Sequence, residues 1–173
     1  MKLRQVLLAA SLAVGISGLA VAATQGTVGF TSTGTLNINL AVNDEVRISN
    51  LTDINLGVFA GVDAVGTSAA CVYRNGTGNY QITASGDGAA SAFTLTDGVN
   101  TVPYSVQWDD GLGASAVTTG VALIGQTGAD DASPTCATTG PNGTVTVTVA
   151  ATDANGLPAA TYAGVLTLLV APE

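Results

Sequence analysis

The sequence predicts an all-β domain, an antiparallel β-sandwich of immunoglobulin-like type, and three observations carry that expectation. Beyond the first two dozen residues no stretch repeats its apolar side chains at helical spacing. Six to eight short stretches instead alternate apolar with polar or small residues, as half-buried strands do. Clusters of Gly, Asn and Asp separate them, the composition of turns.

The chain opens with a segment of another kind. Met1 to Ala23 has the layout of a secretory signal, with Lys2 and Arg4 in a basic front, an apolar run from Val6 to Leu19 and small residues at the junction. Ala20-Val21-Ala22 and Val21-Ala22-Ala23 both fit the cleavage rule, so a mature chain is expected to begin at Ala23 or Thr24. The apolar run is short for a membrane span and contains Gly15 and Gly18. The remainder divides into an arm over residues 24–43 and a domain over residues 44–173.

Within the arm, Val28, Phe30, Ser32, Gly34, Leu36, Ile38, Leu40 and Val42 fall on one face of an extended chain. Gly29, Thr31, Thr33, Thr35, Asn37, Asn39 and Ala41 fall on the other. A long strand is expected from Val28 to Val42, densest in apolar residues at its end. Alternation does not reveal whether such a strand pairs inside its own domain or on another molecule.

In the domain, Asn43-Asp44-Glu45 makes a polar break, and Val46, Ile48, Leu51, Ile54, Leu56 and Val58 suggest a first strand with a kink. Gly57, Gly61 and Gly66 mark a loop before Cys71-Val72-Tyr73, and Asn75-Gly76 signals a tight turn. Tyr80, Ile82 and Ala84 give a strand and Ser85 to Ser91 a loop. Phe93 and Leu95 suggest a short strand. Val102, Tyr104, Val106 and Trp108 suggest a longer one whose Pro103 requires an edge or a strand start. Val117, Val121 and Leu123 read as a further strand, followed by a polar stretch from Gly125 to Gly140. Val145, Val147 and Val149 alternate with threonines, and Tyr162, Gly164, Leu166, Leu168 and Val170 share one face of a last strand. Val165 and Leu169 make its other face apolar as well, so this strand is expected to be covered on both sides.

Composition narrows the chemistry. Beyond residue 23 two arginines, Arg47 and Arg74, stand against twelve carboxylates, a net charge of −10, too little positive charge for a nucleic-acid surface. The chain has no histidine, which removes the usual general base and the usual metal ligand, so no enzyme and no cofactor are expected. The acidic residues lie mostly beside Gly, Asn, Ser or Ala in turn-like contexts; none of Asp109-Asp110, Asp130-Asp131 and Asp153 falls in an EF-hand calcium loop. Asn50-Leu51-Thr52, Asn75-Gly76-Thr77 and Asn142-Gly143-Thr144 match the glycosylation sequon and read equally well as turns. Cys71 and Cys136, an even pair in an exported chain with neither C-x-x-C spacing nor histidine, are expected to form a disulfide.

The alternating arm with Gly34-Thr35-Leu36-Asn37-Ile38-Asn39-Leu40, the extended stretch ending Ile54-Asn55-Leu56-Gly57, Val102-Pro103-Tyr104-Ser105-Val106-Gln107-Trp108 and the closing Ala160-Thr161-Tyr162-Ala163-Gly164-Val165-Leu166-Thr167-Leu168 together resemble the pilin subunits of chaperone-usher pili. They are similar to the archaic group related to spore coat protein U and to CFA-type pilins. The cysteine pair falls later than in archaic subunits, and Ala160 replaces the first glycine of the closing pattern. The resemblance implies an incomplete immunoglobulin-like fold whose groove, bordered by the Tyr162, Gly164, Leu166, Leu168 and Val170 strand, accepts a neighbour's donor strand of Gly34, Leu36, Ile38, Leu40 and Val42. It further implies a homopolymer, a periplasmic chaperone, an outer-membrane usher, and a place at the cell surface as a fimbria meeting host or abiotic surfaces. The alternative is a secreted monomeric binding module or coat protein, with Trp108, Tyr73, Tyr80 and Tyr104 as sugar-stacking candidates; alternation favours the core for Tyr104 and Trp108.

Overall fold

A computed structural model describes residues 22–173, so all but the last two positions of the expected signal lie outside the described residues. Those residues form two compact units, one ending at Val42 and one comprising Asn43–Glu173.

In the arm, Thr24 and Thr35 make an isolated antiparallel bridge, each N–H donating to the other's carbonyl at 3.0 and 3.1 Å. The intervening residues form a closed loop, and residues 36–45 belong to no strand. The continuous strand expected over Val28 to Val42 is therefore absent. A strand exists through the ladder on its edge, and alternation supplies the faces of a strand without supplying that ladder.

The domain contains ten strands and two short helical turns among the described residues. The first four strands are β1 (Val46–Ser49), β2 (Ala64–Arg74), β3 (Tyr80–Gly86) and β4 (Thr94–Thr96). They are followed by β5 (Thr101–Pro103), β6 (Ser105–Asp109), β7 (Ala114–Val117) and β8 (Leu123–Gln126). β9 (Gly143–Val149), the single-turn α1 (Ala151–Ala154) and β10 (Leu166–Pro172) complete the order, with a 3-10 turn at Ala89–Ser91. All ladders between these strands are antiparallel. One sheet runs β1-β2-β9-β6-β7, a second β10-β3-β8, and β4 with β5 forms a third of two strands.

The two larger sheets enclose one core. Ala70 and Val72 of β2, Val145, Val147 and Val149 of β9, and Val106 and Trp108 of β6 pack with Tyr80, Ile82 and Ala84 of β3, all buried. Trp108 meets Tyr80 edge-on at 6.5 Å between ring centroids, its indole N–H donating to the tyrosine hydroxyl at 3.3 Å. Burial pushes that hydroxyl up to about 12. Phe93 stacks on Tyr104 at 5.5 Å beside this core.

Several boundaries differ from the sequence reading. The first body strand ends at Ser49, because Asn50 takes a left-handed φ of 64° and residues 51–56 leave the ladder. Gly66, expected in a loop, lies inside β2 opposite Val147; a Cβ there would collide with Ile54 and Leu56, so the missing side chain admits the departing segment against the sheet. Asn75-Gly76 does not close a hairpin, since β2 and β3 belong to different sheets. Likewise the single strand read from Val117 to Leu123 is split between β7 and β8, which also lie in different sheets. The stretch Val102 to Trp108 breaks at Tyr104 into β5 and β6, with Pro103 at the end of β5. Tyr162 and Gly164 precede β10, and Val165 and Leu169 are exposed at 61% and 63%, so the last strand is uncovered on its outer face.

Cys71, on β2, is bonded to Cys136 in the loop between β8 and β9, and both are buried. The Asp130 carboxylate shapes that loop, accepting the Thr139 hydroxyl at 2.7 Å and the Ala132 and Ser133 N–H groups at 2.8 and 3.1 Å. The bond spans 65 residues, and replacing both cysteines by serine should lower unfolding free energy by about 4 kcal/mol. Urea denaturation of the double variant checks this.

Candidate functional site

β10 is an edge strand, with β3 on one side and no strand on the other among the described residues. Its inward residues Leu166, Leu168 and Val170 reach the core yet stay only half-buried, unlike the inward valines of β9. β1 is the edge of the opposite sheet, and Ile48, Ile54 and Leu56 are half-buried in the same way. β1 and β10 approach each other without forming a ladder. The sandwich thus has a seam where two free edges flank a row of incompletely buried apolar side chains. An edge of this kind offers backbone groups and apolar surface together, the requirements for strand addition.

Residues 51–56 form part of one wall without backbone pairing to β2. There the buried Ser68 substitutes for a ladder: its hydroxyl accepts the Thr52 N–H at 2.8 Å, while Ile54 and Leu56 sit over Gly66. At the entry to β10, Gly164 lies against β4, where a Cβ would come within 2.7 Å of the Thr94 carbonyl. Ala163 exchanges backbone hydrogen bonds with Thr96 at 2.8 and 3.0 Å, and the Tyr162 hydroxyl donates to the Pro158 carbonyl at 3.2 Å. Beside them Asp97 closes the β4–β5 turn, accepting the Asn100 side-chain amide at 3.0 Å and the Asn100 and Val99 N–H groups at 2.6 and 2.8 Å. Those bonds hold its carboxyl down to about 2.

The far end of the seam is held by Arg74. Its buried guanidinium donates to the Asp44 carboxylate through Nε and Nη2, to the Asn79 carbonyl through Nη1, and to the Glu173 backbone oxygen at 3.1 Å. Asp44, bonded to this cation, has its carboxyl held below the ordinary range.

The arm residues Leu36, Ile38, Leu40 and Val42 are exposed at 70% to 90%. Gly34 packs near the Thr24 carbonyl in the closed loop. The second wall of Ile48, Ile54 and Leu56, and the Arg74 cluster, went unassigned in the sequence reading; one of only two arginines beyond residue 23, directly before Asn75-Gly76, was the available signal for the latter. Trp108, Tyr80 and Tyr104 are buried and present no face to a sugar. The Asp109 and Asp110 carboxylates accept N–H groups of Gly111, Gly113, Leu112 and Thr127, and no group of three metal-ligating side chains occurs among the described residues.

No family model and no curated protein matches the sequence. In fold the chain is similar to a chain of a solved chaperone-tip adhesin complex of CFA/I fimbriae biogenesis, with a TM-score of 0.52 and 19% identity. The match covers 76% of this chain and 42% of that one, so this chain spans less than half of its length.

Asp97 gives this site a pH dependence. Its folded pKa of about 2 lies below that of an unfolded aspartate, so its contribution is full above about pH 5 and is lost as pH falls towards 2. Thermal unfolding across this range should show a falling Tm, and Asp97→Asn should flatten that fall.

Proposed function

We propose that this chain is a structural, non-enzymatic subunit of an extracellular adhesive fimbria, polymerising head to tail by insertion of one subunit's arm into the seam of the next. The observation that carries the reading is the free edge of β10 with its half-buried Leu166, Leu168 and Val170, set against an exposed arm bearing Leu36, Ile38, Leu40 and Val42 at the same two-residue spacing. β10 is seven residues long, and so is Leu36 to Val42. A donor strand here would satisfy the edge and the row of side chains together. Burying the four donor side chains contributes about 6–12 kcal/mol before ordering costs, at about 1.5–3 kcal/mol each. Gly34, ahead of the apolar row, would let the donor backbone approach closely where a side chain would obstruct it.

Because donor and acceptor are different surfaces, the contact is heterologous and propagates into a fibre. Export through the periplasm fits the signal-like opening. A periplasmic chaperone would shield the seam until an outer-membrane usher exchanges it for the next arm, and the fibre would meet host or abiotic surfaces. The likeness in fold to a chain of a fimbrial chaperone-tip adhesin complex supports this role.

The test is to produce residues 24–173 in a bacterial periplasm without a chaperone. Oligomers that survive SDS and collapse on heating are expected, and Ile38→Asp, which places a charge in the seam, should abolish that ladder. A chain that stays a soluble monomer and forms no heat-sensitive oligomers would overturn the proposal.

A further inference from the structure

Arg74 and Asn75 hold the domain immediately after the arm. Asn43, Asp44 and Glu45 precede the first β1 pair, Val46 opposite Arg74. The Asn75 amide donates to the Asn43 carbonyl at 2.8 Å and its oxygen accepts the Glu45 N–H at 2.7 Å, while the Asn75 N–H donates to the Glu45 carbonyl at 3.2 Å. The carboxylate between them is bound by Arg74. The same guanidinium binds the backbone oxygen of Glu173, just beyond β10. Glu173 is itself tied down, its N–H donating to Asn79 at 3.0 Å and its carboxylate accepting the Gly125 N–H at 2.6 Å. Gly78, at a φ of 142°, leaves room for the guanidinium, since a Cβ there would lie 3.0 Å from Nη1.

We propose that this clasp is the mechanical junction of the subunit, carrying tension from the point where the arm leaves the domain to the strand that receives the next arm. The inference rests on the assembly reading above. β1 is an edge strand of four residues, and a pull applied at its front would open its ladder one pair at a time. The clasp stands ahead of that ladder, so its bonds must fail before the first pair opens. Through one buried side chain it also joins β1's sheet to the end of β10 directly, and the load reaches both sheets at once. The bonds on Asn43, Asp44 and Glu45 converge on the adjacent Arg74 and Asn75, which sets an ion pair and three hydrogen bonds ahead of the ladder.

Single-molecule pulling tests this without any polymer. Handles attached at Val28→Cys and Leu169→Cys load the path through the clasp; handles at Val99→Cys and Leu112→Cys load the domain across the β4–β5 and β6–β7 tips. All four positions are exposed, and the native cysteines are bonded and buried. Asp44→Asn should raise the unfolding rate under load about tenfold along the first axis, as expected for loss of hydrogen bonds between charged groups, and leave the second unchanged. Asn75→Ala, which frees the Asn43 carbonyl and the Glu45 N–H while sparing the ion pair and the backbone bond from Asn75 to Glu45, should show the same selectivity if the first variant does not fold. Equal weakening along both axes, or none along the first, overturns the clasp's role. Failure of the chain to polymerise would overturn the assembly reading and leave this measurement standing.

Discussion

An antiparallel strand inside a sheet has two edges to satisfy, and β10 satisfies one. Much about this domain depends on that shortfall. Leu166, Leu168 and Val170 face the core as β9's valines do, yet they stay half-exposed because no strand among the described residues closes the edge beside them. On the opposite sheet β1 stops after four residues, and Ile48, Ile54 and Leu56 are left in the same state. The sandwich is well packed through its middle, where Trp108 and Tyr80 meet, and open along one side.

Elsewhere the domain handles broken ladders with side chains. Where β2 runs past the start of β9, Asn142 takes over as a strand would: its amide oxygen accepts the Val72 N–H and its amide nitrogen donates to the Val72 and Gly128 carbonyls, each at 2.8 Å. Asp130 continues the line, exchanging backbone bonds with Val72 and Arg74 at 2.8 and 3.0 Å. Ser68 serves Thr52 in the same manner. These substitutions are local and complete, with no buried side-chain polar atom lacking a partner among the described residues. The edge of β10, like that of β1, has no strand paired to it among the described residues.

Alternation made strands β3, β9 and most of β10 legible in the sequence, since their inward residues are mostly apolar and their outward ones mostly polar or small, Leu169 being the exception. Alternation reports faces. It is silent on edges, so it could not tell that Val102 to Trp108 breaks at Tyr104 or that Val117 and Leu123 serve different sheets. It also gave the arm the look of a strand, although Leu36 to Val42 joins no ladder in this chain. Gly66 misled for a related reason: a glycine reads as a turn, whereas here it clears space for Ile54 and Leu56. The apolar row on β10 was legible as part of a candidate site. The second wall and the Arg74 cluster were not, because both depend on which distant segments meet.

The burial of Arg74 also bears on how the chain meets proteases. Proteases that cut after basic residues find only Arg47 and Arg74 beyond residue 23. Arg47 lies within the β1 ladder opposite Tyr73, and Arg74 is enclosed with its guanidinium bound to three segments. Cleavage needs a backbone that can leave its neighbours and enter the protease, and at both sites ladder bonds to the adjacent strand oppose this. A chain with no lysine beyond residue 23 and only two arginines, both within strands, offers few sites to a whole class of digestive enzymes.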